Sequence, residues 1–251
     1  YLKYASGDEK YNAIGRIFKL LEQVYPEEAH FKAHLSRFYT NIEQNYERGL
    51  ETAQEAIYLS ESEGITDALL YHIYGVSERK YVERKLFNQI NAEHVDEKII
   101  SEIRMHLSKA SEAFKRTRDI NHKTAGFISD IDMCISVIDF AKRIYNCSTQ
   151  DLVEQHKDSW PMEYFDRAIS LMENFNSMQT DEDADFQLSR LAEKFDAVRE
   201  LENCLEKTIE MWEEYLAKAD ETNKPLARRF IARARRNSFE KNHNQENIDS
   251  I

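Results

Sequence analysis

The sequence predicts an all-α protein, on three observations. Only 6 Gly and 3 Pro occur among 251 residues, whereas sheets and long loops consume both residues at their turns. Apolar residues recur at steps of three and four along most of the chain, the period of a helix that buries one face. Charged residues make up 32% and hydrophobic residues 41%, the balance of amphipathic helices with solvated outer faces. With 13 Phe, 13 Tyr and 2 Trp, a chain disordered throughout is excluded. No apolar run approaches the roughly 18 residues of a membrane-spanning helix.

The first helix is expected over Asp8 to Val24, with Tyr11, Ile14, Phe18, Leu21 and Val24 at helical spacing. Pro26, Glu27 and Glu28 mark the next start, because a fixed φ and negative charge both suit a helix N-terminus. That helix runs to about Asn41 with Phe31, Leu35, Phe38, Tyr39 and Ile42 inward. A third covers Tyr46 to Ser62 through Leu50, Ala53, Ala56, Ile57 and Tyr58, and Gly64 is its stop. A fourth begins near Thr66 and carries Leu69, Leu70, Ile73 and Tyr74. Between Tyr81 and Asp96 the pattern weakens, as an insertion would. Helices follow over Glu97 to Asp119 and over Thr124 to Tyr145, the latter apolar enough to be placed at the centre of the core.

Residues 147–161 are expected as a connector with one short helical turn, and Met162 to Met178 as a helix. A very long helix then carries Leu188, Leu191, Phe195, Val198, Leu201, Leu205, Ile209, Trp212, Leu216 and Ala219. At 1.5 Å per residue this stripe is about 45 Å long. Packing within its own domain is favoured over a contact with another chain, which stays open. Pro225 opens a last short helix, and the polar tail is 243–251. The division is therefore 1–146, 147–161, 162–242 and 243–251.

An internal repeat lies in the first part. Leu35 precedes Tyr39 by four residues as Leu70 precedes Tyr74, and the two pairs are spaced close to the tetratricopeptide period of about 34 residues. Gly49, Ala53 and Ala56 supply the small face that lets two helices cross closely, Tyr46 marks the turn, and Ala110, Ala113 and Phe114 repeat the grammar. The expected architecture is a tetratricopeptide-like antiparallel helical-repeat array with a long-helix C-terminal extension. The pattern departs from the tetratricopeptide one in lacking its first Trp and terminal Pro and in one extra residue before Tyr46; an ordinary helical hairpin is the alternative.

The runs Tyr25-Pro26, Phe31 with His34-Leu35-Ser36-Arg37-Phe38-Tyr39, Ala53 with Ala56-Ile57, and Thr66-Asp67 with Leu70 and Tyr74 are those of a more particular group. With the later runs Ala110 to Lys115 and Asp130 to Met133 and the closing basic helix, the chain resembles the helical-repeat region of STAND-type P-loop NTPases. These include bacterial antiviral STAND proteins and animal antiviral factors with an N-terminal sterile alpha motif. The resemblance covers most of the chain, through packing residues. It implies a sensor or scaffold that binds a foreign or regulatory protein and so releases or assembles the NTPase and its effector.

Chemistry is sparse. None of Gly7, Gly15, Gly49, Gly64, Gly75 and Gly126 belongs to a Gly-x-x-x-x-Gly-Lys-Ser/Thr loop, so the nucleotide site of such NTPases is not in this chain. His30 and His34 are four apart, a metal-compatible spacing, yet Phe31 stands where a metalloprotease helix needs Glu and no third ligand is apparent; packing or capping is favoured. Cys134 reads as inert core, and Cys134, Cys147 and Cys204 fit a reducing cytoplasm better than a disulfide framework. Asp130 and Asp132 stand in an apolar helix. An exposed edge is favoured for them, ahead of a buried ion pair with Arg104, Lys109 or Arg143 and of catalysis. No catalytic, cofactor or metal site is expected.

The net charge of −12 disfavours nucleic acid generally. Against it stand Lys224, Arg228, Arg229, Arg233, Arg235, Arg236 and Lys241, opposed only by Glu240. Three readings are open for this cluster: pairing with the acidic helix before it, an acidic partner or adjoining domain, and last nucleic acid, with Phe230 and Phe239 as packing residues. The opening Tyr-Leu-Lys-Tyr shows no signal peptide and no Met, and is read as the start of a fragment. The expectation is a cytoplasmic, non-enzymatic protein-binding module whose contacts include Arg37, Asn41, Tyr71, His72, Arg228, Arg229, Arg233 and Arg236. Its partners would be a protein ligand, viral or regulatory, and an adjoining NTPase domain. The alternative is an adaptor that self-associates through Leu188–Ala219.

Overall fold

Ten α-helices and no strand occur among the residues that the computed structural model describes, which are 8–90, 96–120, 123–177, 205–219, 221 and 224–248. They are α1 (Asp8–Val24), α2 (Ala29–Phe38), α3 (Tyr46–Ser62), α4 (Ala68–Tyr81), α5 (Glu97–Ile120), α6 (Lys123–Tyr145), α7 (Thr149–Gln155), α8 (Met162–Ser177), α9 (Leu205–Lys218) and α10 (Lys224–Ile248). The chain divides into two compact units, residues 1–136 with 143–146, and residues 137–142 with 147–251.

Short, capped connections force α2, α3 and α4 each back along its predecessor. Glu28 accepts from the His30 amide, Asn45 from Arg48 and Asp67 from Leu69, so each helix start finds a partner for one orphan N–H. Gly64, at φ 68°, ends the α3 region in the left-handed conformation that suits glycine. α1 and α2 lie antiparallel, as do α2 and α3, α3 and α4, and α4 and α5; α2 and α4, two steps apart, run side by side in the same direction.

The small residues do what their spacing predicts. Gly49 is buried against Thr40, Ala53 and Ala56 are almost wholly covered, and the Ser36 hydroxyl donates to the Gly49 carbonyl at 2.7 Å. Gly75 on α4 leaves room for the Phe114 ring and the Ala110 carbonyl of α5. The apolar core around Leu70 and Ile73 joins Ala29, Ala33 and Ala56.

Both α2 and α4 end in a π-turn, Tyr39–Glu43 and Val82–Leu86, the second followed by a 3₁₀ turn at Phe87–Gln89. Helical structure thus occupies much of the stretch expected as an insertion, although residues 91–95 lie outside the described ones. The helix starts Ala29 and Ala68 are spaced about one helical turn more widely than the Leu35 and Leu70 pair.

Some residues are not where the pattern put them. Val24 is 65% exposed and Tyr58 73% exposed, on the outer faces of α1 and α3. Asp130 is fully buried, paired with Arg118 at 2.8 Å, and Asp132 faces Arg79 at 3.5 Å. The exposed edge expected for these acids is therefore overturned for Asp130, which takes the buried ion pair with Arg118 of α5, while Asp132 is partly buried beside Arg79 of α4. Cys134 is buried as expected.

In the second unit, Phe140 and Trp160 meet at 6.4 Å, and Trp160 packs edge-on to Tyr164. α7 is one short helix within the expected connector, opened by a capping box between Ser148 and Asp151. α9 and α10 pack together: Trp212 is fully buried and stacks on Phe230 at 5.0 Å. α9 is the described end of the expected long helix, whose residues from Leu188 to Leu201 lie outside the described ones, as does Cys204. α10 is a long helix, not a short one, and continues to Ile248 into the expected polar tail.

A Cβ at Gly75 would stand 2.7 Å from the edge of the Phe114 ring, which has no exposed surface into which to retreat. We expect Gly75→Ala to destabilise the fold by about 1–3 kcal/mol in denaturant titrations. Combined with Phe114→Leu, it should cost less than the two single changes summed.

Candidate partner-binding surfaces

Arg37 and Asn41 lie one turn apart where α2 passes into its π-turn, Asn41 exposed and Arg37 half-buried. Tyr71 and His72 are on α4. Tyr71 is only 6% exposed, donates its hydroxyl to Glu61 at 3.1 Å and lies under the Arg116 guanidinium. The Arg116 guanidinium, and not the Tyr71 ring, is therefore what this position presents to solvent. His72 is half-buried, its imidazole against the Phe114 ring.

Behind these positions runs a layer of buried charge that the helical period alone does not reveal. Ser77, Glu78 and Arg79 are consecutive on α4 and all buried. Ser77 donates to Ser36 at 3.1 Å, since the Ser36 proton is committed to Gly49. Glu78 takes the Nδ1–H of His106 on α5 at 2.5 Å, and the His106 ring packs on Tyr81 at 4.9 Å. Arg79 donates to the Ser129 carbonyl and faces Asp132 and Glu83. Glu83, in the π-turn, also holds Lys80 at 2.7 Å and accepts from Ser136 at 2.8 Å. Burial raises the Glu83 carboxyl, but Arg79, Lys80 and Ser136 together outweigh it and hold it below the usual carboxylate range.

The second surface is the outer side of α10. Ala227, Phe230, Ile231 and Ala234 are buried, while Arg228, Arg229, Ala232, Arg235, Arg236 and Phe239 are exposed. Arg235 pairs with Glu213 of α9 at 2.5 Å, so the expected pairing with the preceding acidic helix holds for this residue. Arg233 lies over the Phe230 ring, and Arg236 reaches Glu240 at 3.9 Å with both side chains open to water. Phe230 packs as expected, whereas Phe239 is 60% exposed.

The two neighbouring histidines part company. His30 bridges Glu28 and Asp67, at 3.1 and 2.9 Å, while His34 stacks on Phe18. No cluster of three or more His, Cys, Asp or Glu suited to a metal occurs among the described residues, and no described helix is long and apolar enough to cross a membrane. An exposed apolar row, Ile17, Leu20 and Val24, ends beside Tyr25 on α1. No protein-family model, curated protein or solved structure matches this chain.

Removing Glu78 alone takes from the buried His106 imidazole its Nδ1 partner and leaves only Glu102, at 3.9 Å from Nε2. Glu78→Ala should cost about 3–5 kcal/mol, and the double change Glu78→Leu, His106→Leu distinctly less, read by chemical denaturation. Two further pairs respond to pH with opposite sign. The hydrogen bond to Asp67, helped by Glu28 against the effect of burial, raises the His30 pKa above its ordinary 6.5. That pair stabilises the fold below 6.5 and loses its contribution as pH rises through the folded-state value. His30→Gln should therefore narrow the Tm difference between mildly acidic and mildly alkaline buffer, by a small amount because the pair is partly solvated. The Glu83 contribution is complete above its ordinary 4.5 and is lost as pH falls through its lowered value. Glu83→Gln should flatten the acid limb of the same Tm profile.

Proposed function

We propose that this chain is a protein-binding sensor or scaffold module, the C-terminal repeat region of a larger STAND-type P-loop NTPase of antiviral defence. A protein ligand, viral or regulatory, binds the helical array, and the adjoining NTPase converts that binding into oligomerisation or effector release. One observation carries the reading. α2 and α4 stand side by side in the same direction with α3 antiparallel between them in sequence, stitched by Ser36 to Ser77 and His30 to Asp67. Helical hairpins stacked in this way expose one edge each, and a row of such edges binds extended partners through many modest contacts. The tetratricopeptide-like description of residues 1–146 belongs to this proposal, as do the contact roles of Arg37, Asn41 and His72.

Self-association through Leu188–Ala219 is less well supported. In the described part of that stripe the largest side chain, Trp212, is spent on Phe230 of the same chain.

Affinity capture from cells with and without viral infection, read by mass spectrometry, tests the proposal with wild type and an Arg37→Glu, Asn41→Arg variant of unchanged Tm. A viral or regulatory protein should be enriched on the wild type and lost on the variant, with a monomeric bait in light scattering. Equal enrichment on both, or recovery of nothing but a second copy of the chain, would overturn it.

A further inference from the structure

We infer that the outer face of α10 is a docking strip for an acidic amphipathic helix of a protein partner. The inference rests on the reading of the chain as a protein-binding module and names the chemistry of one of its partners.

Stacking of Phe230 on Trp212, with Ala227, Ile231 and Ala234 buried beside it, fixes which side of α10 faces inward. The opposite side then presents Arg228 and Arg229, one turn later Ala232, and then Arg235 and Arg236, ending at Phe239. Arginines seven residues apart recur on the same side after two turns, so the charges form a strip about 12 Å long and one helix wide. Its second pair is already engaged, by Glu213 and weakly by Glu240. The first pair, Arg228 and Arg229, makes no ion pair among the described residues. The two exposed guanidiniums leave the helix about 100° apart, and each can grip a separate carboxylate of a facing helix through two N–H groups. Ala232 offers no bulk to keep that helix away, and Phe239 offers it an apolar end.

Charge complementarity selects a peptide over the other polyanions. A nucleic acid or an anionic bilayer spreads its charge over a far larger footprint than this strip, and the net charge of −12 repels such polyanions overall. Nor are aromatic side chains interleaved with the arginines to stack on bases, since Phe230 is turned inward onto Trp212. An acidic helix needs only the strip itself.

The test uses the full chain and fluorescence anisotropy at physiological salt. The probe is a labelled synthetic helix of about 18 residues, five turns, with glutamates at i, i+4, i+7 and i+11 and leucines on one flank. Beside it are a scrambled peptide of the same composition, a single-stranded oligonucleotide and phosphatidylserine-containing vesicles. The ordered peptide should bind about tenfold or more tightly than the scramble, and Arg228→Glu, Arg229→Glu should abolish that advantage. Arg228→Lys, Arg229→Lys should lose part of it, because lysine keeps the charge without the fork. Both side chains are exposed, so circular dichroism and Tm should be unchanged, and Arg228→Gln, Arg229→Gln serves as a second variant free of added repulsion. Equal binding of ordered and scrambled peptides, indifference to all three variants, or tighter binding of oligonucleotide or vesicles would each overturn the inference. Such a failure leaves capture that depends on Arg37 and Asn41 untouched, whereas failure of the module reading removes that capture whatever the strip does.

Discussion

The first unit depends on how α4 is buried. Most of its circumference is covered, and it brings Ser77, Glu78 and Arg79 into that covered environment one after another. Consecutive residues on a helix point about 100° apart, so no single neighbour can satisfy all three. Ser36 on α2 takes the first, His106 on α5 the second, and Ser129, Asp132 and Glu83 the third. A buried charge without its partner is far costlier than an ion pair is stabilising. The three residues therefore specify which helices stand beside α4, and in which register, more than they add to stability.

The π-turns fit the same constraint. A π-turn accommodates an extra residue within a helix and rotates the chain beyond it. At Val82–Leu86 this happens where α4 leaves its tight crossing with α5, and Glu83 is held there between Lys80 and the Ser136 hydroxyl. At Tyr39–Glu43 the same device ends α2, leaving Tyr39 and Thr40 buried and Asn41 exposed beside the turn into α3. One position proposed to meet a partner, Asn41, thus sits on a segment whose path is set by packing behind it.

In the second unit the constraint is apolar. Trp212 has no exposed surface, and its stacking on Phe230 orients α10 about its own axis. Every exposed arginine of α10 owes its outward position to that contact. Glu213, the neighbour of Trp212, then lies where Arg235 can reach it. One arginine is thereby drawn into the fold, while Arg228 and Arg229 stay in solvent.

Local signals along the chain suffice for the helices and several of their ends. Periodicity, Asn45, Asp67 and Gly64 are local signals, and α1 and α3 begin and end where those signals place them. The close crossing at Gly49, Ala53 and Ala56 was legible for the same reason, since small residues on one helical face allow little else. Which polar residues are buried, and with whom, is settled only where the helices meet. Asp130 and Asp132 read as an exposed edge because acids usually are exposed, and their partners Arg118 and Arg79 lie on other helices. Likewise Val24, Tyr58 and Phe239 are apolar residues at helical spacing, yet they face outward because a period identifies a face and not the neighbour that covers it. Burial is a property of two surfaces meeting, and a single strand of sequence describes only one of them at a time.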